Sequence, residues 1–165
     1  MATPYSVNIV CTGNICRSPI AEVVLRQALA EAGLGDQVTV SSAGTGHWHI
    51  GHDMDHRARL VLTEAGHEVP RHSAELFEPS MFAAADLILA LDTSHLHELS
   101  QMAPDQQGAD KVQLLRSFDP DAGEEDNLDV PDPYYGDRRD FELTYAAVTA
   151  AVPGIVAHIR EQLQQ

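Results

Sequence analysis

Both cysteines of this 165-residue chain fall within six positions of each other, in the stretch VCTGNICRSP at residues 10–19. Cys11 and Arg17 stand at the C-x5-R spacing, with Ser18 next. A loop of that length can turn successive backbone N–H groups onto one anion, and the start of a following helix adds its own free amides. Gly13 admits positive φ, Asn14 tolerates the left-handed conformation, and Pro19 suits a first helical turn because it has no N–H to leave unsatisfied. A thiol at the centre of such a cradle is expected to titrate below the free value of about 8.5. Arg17 offers parallel N–H bonds to two phosphate oxygens, a geometry lysine does not reproduce. The chemistry this predicts is in-line attack by sulfur on a phosphate monoester, with the charge stabilised by Arg17 and the loop amides. Inert packing cysteines would need neither the arginine nor the anion-binding residues beside them.

A phosphate ester also sheds an oxygen that needs a proton at neutral pH. The acidic, proline-marked stretch 119–137 offers Asp129, Asp132 and Asp137, and spacing alone does not choose among them. Asp132 lies between Pro131 and Pro133 and precedes Tyr134 and Tyr135, which could line a pocket. A second cluster, His47, Trp48, His49, His52 and His56, has no cysteine near it and reads as surface histidines rather than a zinc site.

These groups need a scaffold. Residues 6–10 read as a strand that enters the cysteine loop, and 19–32 as a helix with apolar positions at i, i+4 spacing that stops at Gly33. Residues 37–42 (QVTVSS) form a second strand, 55–65 a second helix and 79–85 a short one. The apolar run 87–91 (LILAL) suits a central strand buried on both sides. Asp92, Thr93 and Ser94 then cap a helix over 95–102, and 111–115 (KVQLL) is a fourth strand. The last helix spans 141–163, with Pro153 expected to kink or interrupt it. Strand and helix alternate throughout, which predicts one α/β domain over residues 1–165. Its parallel four-stranded sheet has helices on both faces, and the anion loop sits at the carboxyl edge of the first strand.

Composition narrows the partners. With 25 acidic against 10 basic residues the formal net charge is −15, which disfavours nucleic acid and anionic membrane surfaces. No run of eighteen apolar residues and no signal-peptide pattern is seen, so a cytoplasmic protein with free thiols is expected.

The string V-C-T-G-N-I-C-R-S-P resembles the signature of the low-molecular-weight protein tyrosine phosphatases, and Asp132-Pro133-Tyr134-Tyr135-Gly136 is similar to that family's general-acid loop. Residues 42–49 (SAGTGHWH) and 115–120 (LRSFDP) are also similar to family segments. The resemblance implies a four-stranded parallel sheet flanked by helices and hydrolysis of phosphotyrosine on proteins, with inorganic phosphate as product and neither metal nor cofactor. Carried over by position, Cys11 is the nucleophile, Arg17 binds phosphate, and Asp132 first protonates the leaving oxygen and then activates water. Thr12, Gly13, Asn14, Ile15 and Cys16 supply the phosphate loop, and Asn14 and Ser18 hold its shape. Trp48, Tyr134 and Tyr135 wall a pocket deep enough for phosphotyrosine. Cys16 is implied as a reserve thiol that forms a reversible disulfide with Cys11, and Tyr134 and Tyr135 as residues that can be phosphorylated. Ile15 stands where phosphoarginine-directed members carry threonine, which favours phosphotyrosine. The segment His72-Ser73-Ala74-Glu75 departs from the family's His-x-Ala-Arg, which leaves the role of His72 open.

Other functions fit less well. An arsenate reductase on this loop would relay a disulfide through further cysteines, and a phosphotyrosine-binding module would not need both nucleophile and acid. A thioredoxin-like site wants C-x-x-C, and neither G-x-x-x-x-G-K-[ST] nor G-x-G-x-x-G is present.

Overall fold

Four short parallel strands in the order β2-β1-β3-β4 form the sheet of this computed structural model, which describes residues 3–122 and 127–165. The strands are β1 (Tyr5–Cys11), β2 (Val38–Gly44), β3 (Leu87–Ala90) and β4 (Val112–Leu114). Their register brings Cys11 opposite Gly44 and Val10 opposite both Ala43 and Ala90, so the chain leaves the sheet at one common edge. Successive strand residues face opposite sides. Val7, Ile9, Cys11, Leu87 and Leu89 enter one core cluster, while Val10, Ile88 and Ala90 enter the other. Each fully buried Leu or Ile there contributes about 2 kcal/mol over an exposed one.

The helices are α1 (Arg17–Glu31), α2 (His56–Glu64), α3 (Met81–Ala84), α4 (Thr93–Met102), α5 (Gln106–Ala109) and α6 (Arg138–Leu163). A 3-10 turn at Leu115–Phe118 follows β4. Helices α1 and α6 pack together on the first core cluster, whereas Phe82 of α3 and Leu99 of α4 cover the second. The first connection runs from β1 to β2 on one side, and the second runs from β2 back past β1 to β3 on the other. The anion loop therefore sits at the crevice where strand order reverses, the usual ligand position of such sheets.

Three expectations are refined. Helix α1 starts at Arg17, two residues before the expected Pro19, so the arginine belongs to the first helical turn. Helix α6 starts at Arg138 rather than 141, because the Asp137 carboxylate accepts from Arg139 and Asp140 N–H while the Asp140 carboxylate returns to the Asp137 N–H, a capping box. Pro153 does not interrupt α6, which runs continuously through it. Proline inside a helix costs about 3 kcal/mol, but Pro153 lies on the exposed face. Phe141, Val148, Ala151, Val152, Ile155 and Ile159 anchor the other face in the core. At the next residue, a Cβ on Gly154 would meet the Phe118 carbonyl oxygen at 2.1 Å, so glycine lets α6 lie directly on the 3-10 turn. Helix α6 is long and apolar enough to cross a membrane by length and composition, although no unbroken run of eighteen apolar residues exists. Here its apolar stripe packs on the sheet. The expected loop over 119–137 lies partly outside the described residues. Its described parts, 119–122 and 127–137, contain neither strand nor helix.

Candidate active site

Residues 12–16 wrap the space beyond the end of β1, and their shape is held from behind by one buried side chain. Asn14 has φ 57° and is fully buried. Its Oδ1 accepts from the Glu75 N–H at 2.9 Å, and its Nδ2 donates to Ser18 Oγ at 2.8 Å and to Ser42 Oγ at 2.9 Å. His72 Nε2 donates to the Asn14 carbonyl at 2.7 Å, so His72 does brace the loop. A Cβ on Gly44 would sit 2.5 Å from the Thr12 carbonyl oxygen, and only glycine lets β2 run this close beneath the loop.

Donor direction can be followed through this network. Asn14 Nδ2 can only donate, so Ser18 Oγ accepts from it, and toward a thiolate at Cys11 Sγ, 2.9 Å away, the Ser18 hydroxyl is the donor. The Asn14 N–H donates to the same sulfur at 3.3 Å. Likewise Ser42 accepts from Asn14 and donates to Glu22 Oε1 at 2.6 Å, with Glu22 in turn paired to Arg26 at 3.1 Å. Cys11 thus faces the pocket with two donors on its sulfur, an arrangement suited to a sulfur anion.

Arg17 is buried and aimed by partners from two other segments. Its NH1 donates to Asp92 Oδ2 at 2.7 Å and to the Val130 carbonyl at 3.1 Å, and its NH2 lies 3.6 Å from Asp132 Oδ2. Asp92 follows β3 and caps α4, accepting from the His95 N–H at 3.0 Å and from Ser94 Oγ at 2.6 Å. Burial alone would raise the Asp92 carboxyl, but the bonds from Ser94, the His95 amide and Arg17 outweigh it and hold its pKa down at about 2. His95 is completely buried. Its Nε2 is 2.8 Å from Thr12 Oγ1, and its Nδ1 lies 3.1 Å from Asp92 Oδ1 without the alignment of a hydrogen bond. Burial pushes the His95 pKa below the ordinary histidine value despite the opposing pull of Asp92.

Of the three candidate acids, only Asp132 lines the cleft. Asp129 is used by Thr93, accepting from its N–H and hydroxyl, and Asp137 caps α6. Asp132 Oδ1 accepts from the Tyr134 N–H at 3.1 Å, which leaves Oδ2 facing Arg17. The cleft holds about 470 Å³ with Cys11 and Arg17 at its floor. Trp48 and the tyrosines form its rim. Trp48 is 66% exposed and stacked on His47, with ring centres 5.3 Å apart, and Tyr135 is 93% exposed. Tyr134 packs edge-on against Tyr135 at 4.9 Å and against His49 at 5.9 Å.

The cleft also includes Thr12, Gly13, Ile15 and Cys16, so of the residues expected to form the phosphate loop and pocket only Asn14 and Ser18 lie outside its lining, acting from behind. Cys16 is buried where α1 begins, and both cysteines are free. Burial first, then the nearby Asp55 carboxylate, pushes the Cys16 thiol well above its usual range. Among the described residues, no three or more of His, Cys, Asp and Glu converge as metal ligands.

Sequence reasoning missed several contributors. Asp92 was legible only as a helix cap. The further signal is its position at the end of the strand beside β1, next to the cysteine loop. His49 reads as a surface histidine but walls the cleft, packed over the position of Gly13. Glu22 carries no local signal, and nothing local shows the bonds of Ser42 to Asn14 or of His95 to Thr12, because those partners are distant in the chain.

At the edge of this parallel α/β domain a cysteine and an arginine thus share one loop, with the Asp132 carboxylate across the cleft. Residues 6–165 match the family model described as low molecular weight phosphotyrosine protein phosphatase, and the chain belongs to that family. It is 49% identical over 160 residues to the low molecular weight protein-tyrosine-phosphatase of Streptomyces coelicolor, covering 97% of this chain and 96% of the relative. It is 46% identical over 163 residues to low molecular weight protein-tyrosine phosphatase A of Mycobacterium tuberculosis, covering 99% and 96%. Among solved structures, the protein tyrosine phosphatase of Entamoeba histolytica superposes with a TM-score of 0.89 at 30% identity, covering 96% of this chain and 98% of that one.

Proposed function

We propose that this chain hydrolyses phosphotyrosine on proteins through a phosphocysteine intermediate. The observation that carries the reading is the convergence of three groups. Cys11 Sγ holds two hydrogen-bond donors, Arg17 stands at the floor of the cleft, and the free oxygen of Asp132 is 3.6 Å from that guanidinium.

In the first step Cys11 sulfur attacks phosphorus, the S–P bond forms and the P–O bond to the tyrosyl oxygen breaks. Protonated Asp132 gives its hydrogen to the departing oxygen, whose conjugate acid has pKa about 10. Arg17 and the amides of residues 12–17 bear the charge on the non-bridging oxygens. In the second step Asp132, now a carboxylate, takes a proton from water. The water oxygen attacks phosphorus, and the electron pair of the S–P bond returns to sulfur, releasing inorganic phosphate. Side chains and backbone amides carry every step. Trp48, Tyr134 and Tyr135 stack on the substrate ring, and the cleft volume is within the range of small-ligand sites.

The protein acts in the cytoplasm on phosphotyrosine-containing proteins rather than on nucleic acid or membranes, a reading supported by its net charge of −15. Hydrolysis of a phosphotyrosine peptide with chelator in excess, by wild type and by Cys11→Ser, tests the assignment. Turnover by wild type that is lost in the folded variant is the expected result, and no turnover by reduced, folded wild type would overturn it.

A further inference from the structure

The phosphate loop and the Asp132 loop are far apart in sequence, yet one residue that touches neither the thiol nor the candidate acid connects them. The Asp55 N–H donates to the Ile15 carbonyl at 2.8 Å, which ties the start of α2 to the phosphate loop. The Asp55 carboxylate holds Arg57 in a two-point fork, Nε to Oδ1 at 3.0 Å and NH2 to Oδ2 at 3.0 Å. The other edge of the same guanidinium donates to two carbonyls of the acid loop, NH2 to Tyr134 at 2.9 Å and NH1 to Gly136 at 3.1 Å. Its face lies 4.6 Å from the ring centre of Phe141, in the first turn of α6.

We propose that Arg57 is the positioning residue for the general acid, clamping the backbone that follows Asp132 to the phosphate loop so that the carboxyl meets the leaving oxygen. The proposal rests on the assignment of Asp132 as acid. Asp132 itself is half-exposed, and its side chain has one hydrogen bond, to the Tyr134 N–H. The place of the carboxyl therefore follows the backbone at Tyr134, the residue whose carbonyl Arg57 holds. Lysine cannot replace this geometry, since one ammonium cannot present a fork to a carboxylate and two more donors to separate carbonyls. Arg57 does not reach the phosphate site, so its loss should act on proton transfer and leave phosphate binding intact.

That distinction gives the test. Arg57→Met keeps an apolar stem over Phe141 and removes all four hydrogen bonds, and Arg57→Lys keeps the charge without the fork. Both are assayed with phenyl phosphate, whose leaving oxygen resembles that of tyrosine, and with p-nitrophenyl phosphate, whose leaving group departs readily as an anion. Inhibition by inorganic phosphate is measured alongside. General acids contribute roughly 100-fold or more. Arg57→Met is accordingly expected to lower kcat/KM, which reports the step that expels the leaving group, by about tenfold more on phenyl phosphate than on p-nitrophenyl phosphate, with phosphate inhibition changed less than about twofold. Arg57→Lys should show the same selectivity in smaller measure, and it carries the test should the methionine variant not fold. In an Asp132→Asn background, Arg57→Met should add less than about twofold on phenyl phosphate, because both changes remove one function.

Equal loss of kcat/KM on the two substrates, weakened phosphate inhibition, or full additivity with Asp132→Asn would each overturn the proposal. If Asp132→Asn alone lowers kcat/KM equally for both substrates, the acid assignment falls and the clamp with it. If Asp132→Asn discriminates but neither Arg57 variant does, the clamp alone is wrong.

Discussion

Asp92 and Arg17, 75 residues apart in sequence, are joined by a 2.7 Å ion pair that crosses from the end of β3 to the first turn of α1. This bond sets where the guanidinium can point. Asp92 also caps α4, so the arrangement of the sheet edge and the aim of the phosphate-binding arginine are one feature.

Removing one partner of such a pair leaves a buried charge uncompensated, which costs about 3 kcal/mol. Asp92→Ala should therefore lower stability by about that amount, read from denaturant unfolding, and also weaken inhibition by inorganic phosphate. Asp92 titrates at about 2 in the folded protein and at about 3.9 when unfolded. A carboxyl whose folded pKa is lowered stabilises the fold above its unfolded value, so its contribution is complete above about pH 4 and is lost as pH falls toward 2. The variant should lack that part of the acid dependence. Identical acid unfolding of the two proteins would contradict the pairing.

His95 gives a dependence in a different window. Its folded pKa is depressed by burial, so between that value and about 6.5 the unfolded chain binds more protons and stability falls with falling pH. Thermal unfolding of wild type and His95→Gln from pH 7.5 to 5 should converge as pH drops, because only wild type loses this contribution. Parallel curves would show that His95 is not held neutral beside Thr12.

Cys16 is buried, and its thiol stays protonated at neutral pH, so peroxide is expected to act first on Cys11. Peroxide takes the Cys11 sulfur to sulfenic acid, and Cys16 sulfur then displaces water to form the disulfide. Wild type should recover most of its activity with dithiothreitol after peroxide, and Cys16→Ser should recover much less. Equal recovery would remove Cys16 from redox protection.

With 25 acidic against 10 basic residues, the protein should favour peptides carrying lysine or arginine near the phosphotyrosine. Across a peptide series of varied charge, kcat/KM should rise with positive charge, and the gain should shrink as salt increases. A flat series would show that the acidic surface serves solubility alone.

The parts legible in sequence were those whose physical cause is local. Residues 10–19 carry their own turn, nucleophile and arginine, and the apolar run at β3 announces a central strand without reference to anything distant. Asp132 could be narrowed to three aspartates by composition. What separates it from Asp129 and Asp137 is tertiary, since those two are occupied by Thr93 and by the cap of α6. Pro153 does not interrupt α6: propensity counts the missing N–H but not the buried face that carries the helix on past it. The roles of Asp92, His95, Ser42 and Arg57 at the site were hidden for one reason: each is exercised through at least one partner distant in the chain, Arg17, Thr12, Asn14 and the carbonyls of Tyr134 and Gly136 respectively.

The covalent intermediate is the central claim, and trapping it is the most direct measurement. p-Nitrophenyl phosphate carrying labelled phosphate, whose leaving group departs without a proton, is mixed with Asp132→Asn, in which release by water should be slowed, and denatured rapidly without acid before fragment mapping. The account predicts label on the fragment containing residues 10–19, at Cys11 and absent from Cys11→Ser. Label at any other residue, or free phosphate formed with no labelled enzyme at the earliest times, would contradict it.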